Sequence, residues 1–374
     1  MTLLPEIAHS GERTTVPHAE LRAFTARLFT ERGIPDRRAL LAADALCHGD
    51  LCGLDSHGLF NLTRLYLPLL SSGRVDPAAE PVVLRDLGAC AVLDARRALG
   101  LWAAAEAADQ AIDRAAEHGV GLVSVRGGTH FGCAGFHAAR AAERGMIGLV
   151  ASNCGRQRIA RPPLGALAFL GTNPLSIAAP ALDDHPFLLD MSTTTVPAGK
   201  VRLAASGGER IPEGWIADDS GATTTDPAEF ERGAAHLRWL GGEPETGAHK
   251  GFGLGLAVEV LAALLPGAGL GLAPEALDGD GGPHGRDDDI GYFVLALDPG
   301  LLRPDGGFAA EARRAFGALL DCPPAAGEPV RYPGWQEAEL AAHRRREGVP
   351  LRPLVHRELV ELGLRGAEET GGTR

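Results

Sequence analysis

The chain has 374 residues with 36 basic and 48 acidic side chains, which gives a formal net charge of −12. This length corresponds to one large domain or two ordinary ones, and a composition of 45% hydrophobic and 22% charged residues excludes global disorder. The negative charge disfavours nucleic acid or an anionic membrane surface as a partner. Because no uncharged apolar run reaches about 18 residues, no membrane-spanning helix is expected.

The cysteine content and the N-terminus point to the cytoplasm. None of the six cysteines forms a C-x-x-C pair, and their spacing suggests neither a disulfide framework nor a zinc site. The first 15 residues lack the basic-then-apolar order of a secretory signal. We therefore expect a cytoplasmic protein with reduced thiols and no metal site.

The first 70 residues are predicted to be helical. Apolar residues at helical spacing indicate one helix that starts near Thr15 and ends at Gly33, a second that starts near Asp36, and a third over residues 59–70. Between the second and third helices lies a glycine-flanked loop over residues 49–58.

Strands and helices alternate after residue 80. A hairpin is predicted over residues 82–93, then a helix (101–118), a strand (120–125), a helix (134–144) and a strand (147–151). Further strands are predicted at 175–178, 187–190 and 292–297, and further helices at 253–265, 311–320, 335–346 and 353–362. Residues 279–289 are predicted to form a surface loop and residues 366–374 a frayed tail. This order predicts an α/β or α+β domain.

Several common fingerprints are absent from the sequence. No G-x-G-x-x-G follows a strand, and there is no G-x-x-x-x-G-K-[ST], H-E-x-x-H or G-x-S-x-G. Rossmann dehydrogenases, P-loop enzymes, zinc proteases and α/β-hydrolases therefore lose support.

Two histidine-containing turns are candidates for proton transfer. In Asp55-Ser56-His57-Gly58, a neighbouring hydroxyl or carboxylate could orient the imidazole, although the tetrapeptide could equally cap a helix. Glycines flank His130 on both sides in residues 127–132, directly after a predicted strand. Ligands bind at such strand ends in open α/β sheets, but a merely solvated turn is the alternative.

Three further segments could bind a ligand. Gly171-Thr172-Asn173-Pro174 offers fixed polar groups, or a plain Asn-Pro turn. Residues 188–195, with Lys200 nearby, deliver a carboxylate and four hydroxyls suited to ribose and phosphate, or form a threonine-rich edge strand. His249 and Lys250 stand at the start of an apolar helix, where an anion could bind, or where the lysine is simply solvated.

Taken in this order, the segments resemble the type-2 malate/L-lactate dehydrogenases. That family also contains sulfolactate, ureidoglycolate and diketogulonate-type enzymes and the ketimine (piperideine- or pyrroline-2-carboxylate) reductases. The resemblance extends through Ile211-Pro212-Glu213-Gly214-Trp215, Thr224-Thr225-Asp226-Pro227, Leu297-Asp298-Pro299 and Tyr332-Pro333-Gly334.

The resemblance implies a non-Rossmann malate/L-sulfolactate dehydrogenase-like fold of the α/β (α+β) class, with a mixed, largely antiparallel sheet. It implies a discontinuous substrate and dimerisation part, residues 1–130 and 300–374, around an NAD(P)-binding domain, residues 131–299. It also implies a homodimer that uses NAD or NADP and a small-molecule substrate.

The resemblance also assigns roles to individual residues. The catalytic candidates are His57, Ser56 and His130. The substrate candidates are Asn61, Arg64, Thr172, Asn173 and Lys200. The cofactor candidates are His130, Cys154, Asp190, Met191, Ser192, His249, Lys250, Pro333 and Gly334.

One departure from the family pattern affects the expected substrate. Asn61 stands where members often carry an arginine suited to bidentate carboxylate binding, and the nearest arginine, Arg64, comes one turn later. We therefore expect hydride transfer to or from C2 of a 2-oxo or 2-hydroxy acid, on a substrate that is larger or less anionic than usual. A ketimine reductase is the alternative enzyme, against which Lys200 argues, and a non-catalytic paralogue is the alternative outside enzymes. The sequence leaves NAD and NADP open.

Overall fold

A computed structural model describes residues 13–272, 288–325 and 327–365. The predicted tail and most of the predicted loop over residues 279–289 lie outside this part of the chain. None of the helices in the described part is both long and apolar enough to cross a membrane. Within the same residues, no three histidine, cysteine or acidic side chains come together as a metal site would require.

The secondary structure comprises short strands and mostly longer helices. The strands are β1 (Thr14–Val16), β2 (Val82–Asp86), β3 (Cys90–Asp94), β4 (Val120–Gly128), β5 (Ile147–Ser152), β6 (Leu175–Leu182), β7 (His185–Met191), β8 (Ile216–Asp218), β9 (Thr223–Thr224), β10 (Ala235–Leu237), β11 (Ile290–Leu297) and β12 (Val349–Leu351). The helices are α1 (His18–Thr30), α2 (Asp36–Leu51), α3 (Leu67–Ser71), α4 (Gly100–His118), α5 (Ala134–Ala142), α6 (Ala198–Gly207), α7 (Pro227–Glu231), α8 (Ala248–Glu259), α9 (Pro299–Leu302), α10 (Phe308–Leu320), α11 (Trp335–Glu347) and α12 (Pro353–Glu361).

A seven-stranded sheet in the order β2-β3-β4-β11-β5-β6-β7 forms the centre of the fold. Within the described residues only the β3–β4 pair is parallel, and the other neighbours are antiparallel. The prediction of a mixed, largely antiparallel sheet is therefore confirmed. The central strand β11 joins sequence-distant halves, since Tyr292 pairs with Val125 of β4 and with Ser152 of β5.

Glycines let the helices approach this sheet closely. A Cβ on Gly121 of β4 would lie 1.8 Å from the carbonyl oxygen of Ala111 in α4, and one on Gly291 of β11 would lie 1.6 Å from that of Ala262. Because side chains alternate along a strand, Tyr292 faces the α4 side while its neighbour Gly291 faces the α8 side. The sheet is thus covered on both faces.

Two differences between the predicted elements and the structure have a clear physical cause. The first helix was expected from Thr15, but residues 14–16 form β1, which pairs with β12 from the far end of the chain, and α1 begins only at His18. The third helix is not a regular α-helix: residues 60–71 are helical, but a π-helical turn (Leu62–Tyr66) precedes α3, and a separate 3₁₀ turn (Asp55–His57) lies ahead of it. Pro68 has no N–H to donate to the carbonyl four residues earlier, so a regular α-helix cannot run through this position.

Candidate functional site

One cavity of about 870 Å³ gathers most of the candidate residues. Its walls are the 3₁₀ turn after α2, the loops that follow β4 and β5, the segment before β6, and the link from β7 into α6. The predicted residues that line it are Ser56, His57, Asn61, Arg64, His130, Cys154, Thr172, Asp190, Met191, Ser192 and Lys200.

A buried carboxyl at the end of α2 fixes the turn that carries His57. Asp50 Oδ2 accepts a hydrogen bond from the Leu59 N–H at 2.7 Å. Gly58 must lack a side chain here, because its Cβ would lie 2.1 Å from the same oxygen. Burial is the main cause that raises the pKa of Asp50 to about 8, so this carboxyl is largely protonated at neutral pH.

Asp55 ties the same turn to both ends of the described chain. Its carboxylate lies 3.5 Å from the guanidinium of Arg13, 3.4 Å from that of Arg352 and 4.0 Å from that of Arg344. Arg344 also donates to the backbone carbonyl of Asp50. Asp55 therefore anchors the turn, which leaves Ser56 and His57 as its reactive groups.

Two imidazoles face each other in the cavity. The ring centres of His57 and His130 lie 6.0 Å apart with planes at 28°, and Ser56 Oγ lies 3.0 Å from Nδ1 of His57. Burial, then the neighbouring His130 and Lys200, lowers the pKa of His57 to about 3. Burial, then Arg202, lowers the pKa of His130 to about 4. Both rings are therefore neutral at pH 7.

The hydrogen bonds of His130 determine its tautomer. The backbone N–H of Gly132 donates to Nδ1 at 3.3 Å, and the Tyr66 hydroxyl lies 2.8 Å from the same nitrogen. Because a backbone N–H can only donate, Nδ1 carries a lone pair and the proton of the neutral ring is on Nε2. His137 supports this loop, since its Nε2 donates to the carbonyl of Phe131 at 2.8 Å.

Asn61 and Arg64 both line the cavity, yet each already has protein partners. Asn61 Nδ2 donates to the backbone carbonyl of Ser56 at 3.0 Å, which braces the turn that carries His57. The Arg64 guanidinium stacks 4.5 Å from the centre of the Phe60 ring and pairs with Glu358 at 3.1 Å. A substrate carboxylate would have to compete with Glu358 for Arg64.

The other cations of the cavity differ in whether a carboxylate of the protein already pairs with them. Arg74 pairs with Asp288 at 2.7 Å, and Arg202 lies 3.6 Å from Glu231. Among residues 13–272, 288–325 and 327–365, no carboxylate lies within 4 Å of the Lys200 ammonium. Burial lowers the pKa of Lys200, while Asp55 opposes that shift. Lys200 is thus available for an anionic ligand.

Gly199 sets the distance between α6 and the turn that carries Ser56 and His57. Its Cβ would lie 2.8 Å from the backbone oxygen and 3.1 Å from the Cβ of Ser56. A Cβ that lies under 3.0 Å from a backbone atom forces one of the two to move. Any side chain at position 199 would therefore separate Lys200 from the Ser56–His57 turn.

Gly199→Ala should lower the melting temperature, while Gly253→Ala, the matched control, should raise it. Both are helical glycines, but the Cβ of Gly253 would meet nothing within 4 Å. The control gains about 0.5–1 kcal/mol from helix propensity. Overpacking against Ser56 costs about 1–3 kcal/mol in the other variant. Thermal unfolding of both variants measures the difference, and equal shifts would contradict a close approach at Gly199.

Asp190 occupies the opposite side of the cavity, where β7 ends. Its Oδ2 accepts the backbone N–H of Gly135 at the start of α5, at 2.8 Å. Burial is the main cause that raises its pKa to about 6. Ser192 Oγ donates to the carbonyl of Thr194. An acceptor-rich patch of this kind suits the hydroxyl groups of a ribose.

The remaining candidates lie outside the cavity. Asn173 is fully buried behind the cavity wall, which its neighbours Thr172 and Pro174 line. His249 and Lys250 are exposed at the start of α8, next to Gly251, which packs against the cavity residue Leu240. Pro333 and Gly334 flank β7: the Pro333 carbonyl accepts the Leu188 N–H at 3.0 Å.

Some functional candidates were missed in the sequence. Tyr66, Arg74 and Arg202 carry no local signal, because only the folded chain brings them to the cavity. Glu259 did carry a local signal in the sequence, because it is the single charged residue in the predicted apolar helix over residues 253–265. It is buried, with 2% of its surface exposed, and lies behind the cavity wall.

Comparison with known proteins places the chain in a family. Residues 16–360 match the family model described as malate/L-lactate dehydrogenase. The chain belongs to the malate/L-lactate dehydrogenase family. Malate dehydrogenase of Pyrococcus abyssi is 39% identical over 253 residues, 67% of this chain and 68% of that protein.

Two further relatives cover nearly the whole chain. The Delta(1)-pyrroline-2-carboxylate/Delta(1)-piperideine-2-carboxylate reductase of Pseudomonas putida is 30% identical, over 93% of this chain and 96% of its own length. The crystal structure of malate dehydrogenase from Entamoeba histolytica has a TM-score of 0.86 at 27% identity, covering 94% of this chain and 97% of its own. The predicted family and enzyme class are confirmed: this member of the malate/L-lactate dehydrogenase family is an oxidoreductase.

Proposed function

We propose that the chain transfers a hydride between a nicotinamide cofactor, NAD or NADP, and C2 of a 2-oxo or 2-hydroxy acid. The observation that carries this proposal is the placement of Lys200, a cation with no carboxylate within 4 Å in the described part of the chain, in the same cavity as two neutral imidazoles, His57 and His130. A carboxylate and an adjacent carbonyl oxygen are the groups that such a set recognises.

The cavity suits a cofactor as well as a small acid. Its volume of about 870 Å³ exceeds the need of a small acid and leaves room for a nicotinamide ring beside it. Asp190 offers a carboxylate acceptor for ribose hydroxyls, next to Met191 and Ser192. When bound, the nicotinamide supplies or accepts the hydride, and the protein orients both partners and moves the proton.

The protein's own groups divide the remaining work. Lys200 binds the substrate carboxylate, with Arg64 as a second cation where Asn61 replaces the usual arginine. In the oxidation of a hydroxy acid, a neutral imidazole can accept the hydroxyl proton. In reduction, the protonated form of the same ring returns that proton to the C2 oxygen, and the Nε2–H of His130 can hydrogen-bond to this oxygen while Tyr66 lies against Nδ1. Ser56 orients His57.

The second candidate is reduction of a cyclic imine carboxylate, supported by the 30% identity to the Pseudomonas putida reductase. Lys200 argues against it, because a protonated imine next to an unpaired ammonium is repelled. The carbonyl substrate carries no such charge and is therefore favoured.

We extend the proposal to the assembly. We expect a cytoplasmic homodimer in which residues 131–299 bind the cofactor and residues 1–130 and 300–374 bind substrate and partner. His249, Lys250, Pro333 and Gly334 lie outside the cavity of the single chain, and we propose that they reach the outer part of a bound dinucleotide. Sedimentation of the purified protein tests the dimer.

A direct assay tests the function. The purified chain is mixed with NADH or NADPH and a panel of 2-oxo acids, cyclic imines and bulkier ketones, and the absorbance of the reduced nicotinamide is followed. Oxidation with 2-oxo acids is the expected result. A faster reaction with the imines would favour the second candidate. No oxidation with any compound, together with no cofactor binding by calorimetry, would contradict the proposal.

Cofactor binding should weaken in mild acid. With a pKa of about 6, Asp190 is a carboxylate above pH 6 and is protonated below it. If only the carboxylate binds ribose, the Kd for the reduced cofactor rises about fourfold between pH 7.5 and 5.5. Fluorescence titration measures this change. The Asp190→Asn variant should bind the cofactor weakly, with a Kd that no longer depends on pH. If its Kd changed with pH as in the wild type, the pH dependence would belong to another group.

A further inference from the structure

We propose that Glu259 is a positioning residue that locks the cavity wall against which the nicotinamide ring and substrate bind. This inference rests on the proposed function. Glu259 touches neither the cavity nor any residue assigned to proton transfer. It acts instead through two asparagines, Asn153 and Asn173, which belong to the two loops of that wall.

The three side chains form a polar network inside the protein. Glu259, Asn153 and Asn173 are 2%, 1% and 0% exposed. The Nδ2 of Asn173 donates to Oε2 of Glu259 at 2.8 Å, and the Nδ2 of Asn153 lies 3.5 Å from Oε1. Each carboxylate oxygen thus faces a different loop, so one side chain of α8 cross-links both.

The neighbours of these asparagines line the cavity. Asn153 itself and Cys154 line it after β5, and Thr172 and Pro174 line it on either side of Asn173. The Cys154 thiol and the Thr172 hydroxyl are 3.6 Å apart, so the two loops also meet at the cavity surface. A shift of the polar network of Glu259, Asn153 and Asn173 therefore moves the residues that line the cavity.

Asn173 needs such support because its backbone is strained. Its φ is +37°, in the left-handed region that residues other than glycine rarely adopt. Its amide is held through Nδ2 alone, by Glu259 and by the carbonyl of Gly255 at 2.9 Å, while Oδ1 has no hydrogen-bond partner in the described part of the chain. Glu259 therefore supplies one of two bonds that fix this residue.

The network requires an acid at this position. A glutamine has one acceptor oxygen, whereas both asparagines present donors. In Glu259→Gln, one amide must face another N–H group, and a buried donor loses its acceptor. The wall then relaxes without any change in the groups that react. We expect ligand affinity to fall more than turnover at saturation.

The test compares Glu259→Gln with Val258→Ala, its neighbour in α8. Val258 is buried but belongs to the apolar contact between α8 and the sheet, outside the polar network. Both variants should lower the melting temperature. The Kd for NADH or NADPH, measured by fluorescence titration, should rise about tenfold in Glu259→Gln and stay within twofold in Val258→Ala. In the assay above, KM should rise with kcat nearly unchanged. Glu259→Asp, which cannot span both asparagines, should give an intermediate Kd and serves if the glutamine variant does not fold.

The outcomes separate this inference from the proposed function. If the wild-type chain binds neither cofactor, the proposed function fails, and this inference fails with it. If the wild type binds and the Glu259 variants bind equally well, only the positioning role is overturned. The same conclusion follows if Val258→Ala loses as much affinity as Glu259→Gln, or if both Glu259 variants fail to fold while Val258→Ala folds, because the role is then structural.

Discussion

Replacing His57 or His130 with alanine is expected to lower turnover at least about 100-fold in each case, the usual scale for a lost acid–base group. Both imidazoles line the cavity, 6.0 Å apart, and both are neutral at pH 7 because burial lowers their pKa values to about 3 and 4. A neutral ring can accept a proton through its lone pair, and the imidazolium so formed can return that proton in the reverse reaction. Initial rates with saturating substrate and cofactor measure the loss.

Two further variants make this test specific. Tyr66→Phe keeps the ring but removes the hydroxyl 2.8 Å from His130 Nδ1, so a smaller loss of about tenfold is expected. His118→Ala replaces an exposed histidine outside the cavity and should leave turnover unchanged. Near-normal rates in both His57→Ala and His130→Ala would refute the assigned roles. A large loss in only one would identify that histidine as the proton-transfer group.

Lys200→Met should raise the KM for a 2-oxo acid at least about 30-fold. Lys200 is the cavity cation without a carboxylate within 4 Å among the described residues, and burial makes its charge costly unless an anion pairs with it. Removing one partner of a buried charge pair costs about 2 kcal/mol or more, which corresponds to this factor. Methionine keeps the length and the apolar stem, so packing changes little.

Arg64→Met is the matched control for the lysine. Arg64 also lines the cavity, but it already pairs with Glu358 and stacks on Phe60. If Lys200 is the main carboxylate ligand, Arg64→Met raises KM less than Lys200→Met. A larger rise in KM for Arg64→Met than for Lys200→Met would instead identify Arg64 as the main carboxylate ligand. Kinetics with a substrate analogue lacking the carboxylate complete the comparison, since Lys200→Met should then have little effect.

The sequence predicted the fold class because its local signals agreed with the final structure. Helical spacing, glycine stops and short apolar strands located most elements, and the ordered motifs predicted the largely antiparallel sheet. The errors arose where distant residues decide local structure. Residues 14–16 form a strand only because Val349–Leu351 lies beside them, and no local pattern contains that information. Pro68 was visible, but its effect on the third helix was not drawn from the sequence.

The sequence located most of the candidate site residues, as it located most elements of the fold. Eleven candidate residues line one cavity, because motifs at the ends of strands converge there. Residues behind the wall were not predicted: a buried Asp50 is recognised only from its partners, and the single charge of Glu259 in an apolar helix indicates its burial but not its role. Asn61 illustrates the reverse case. The sequence suggested that Asn61 stands in place of an arginine, but only the structure shows that its side chain braces the carbonyl of Ser56.

The three arginines around Asp55 have a consequence for synthesis of the protein. Two of them, Arg344 and Arg352, lie far from the turn in the sequence, Arg352 by 297 residues, and Arg344 also donates to the carbonyl of Asp50. The local hydrogen bonds of Asp50 and Asn61 can form as soon as the turn is synthesised, whereas these two guanidinium groups reach Asp55 only after nearly 300 further residues have been added. The turn with Ser56 and His57 therefore gains its full set of contacts late in the synthesis of the protein.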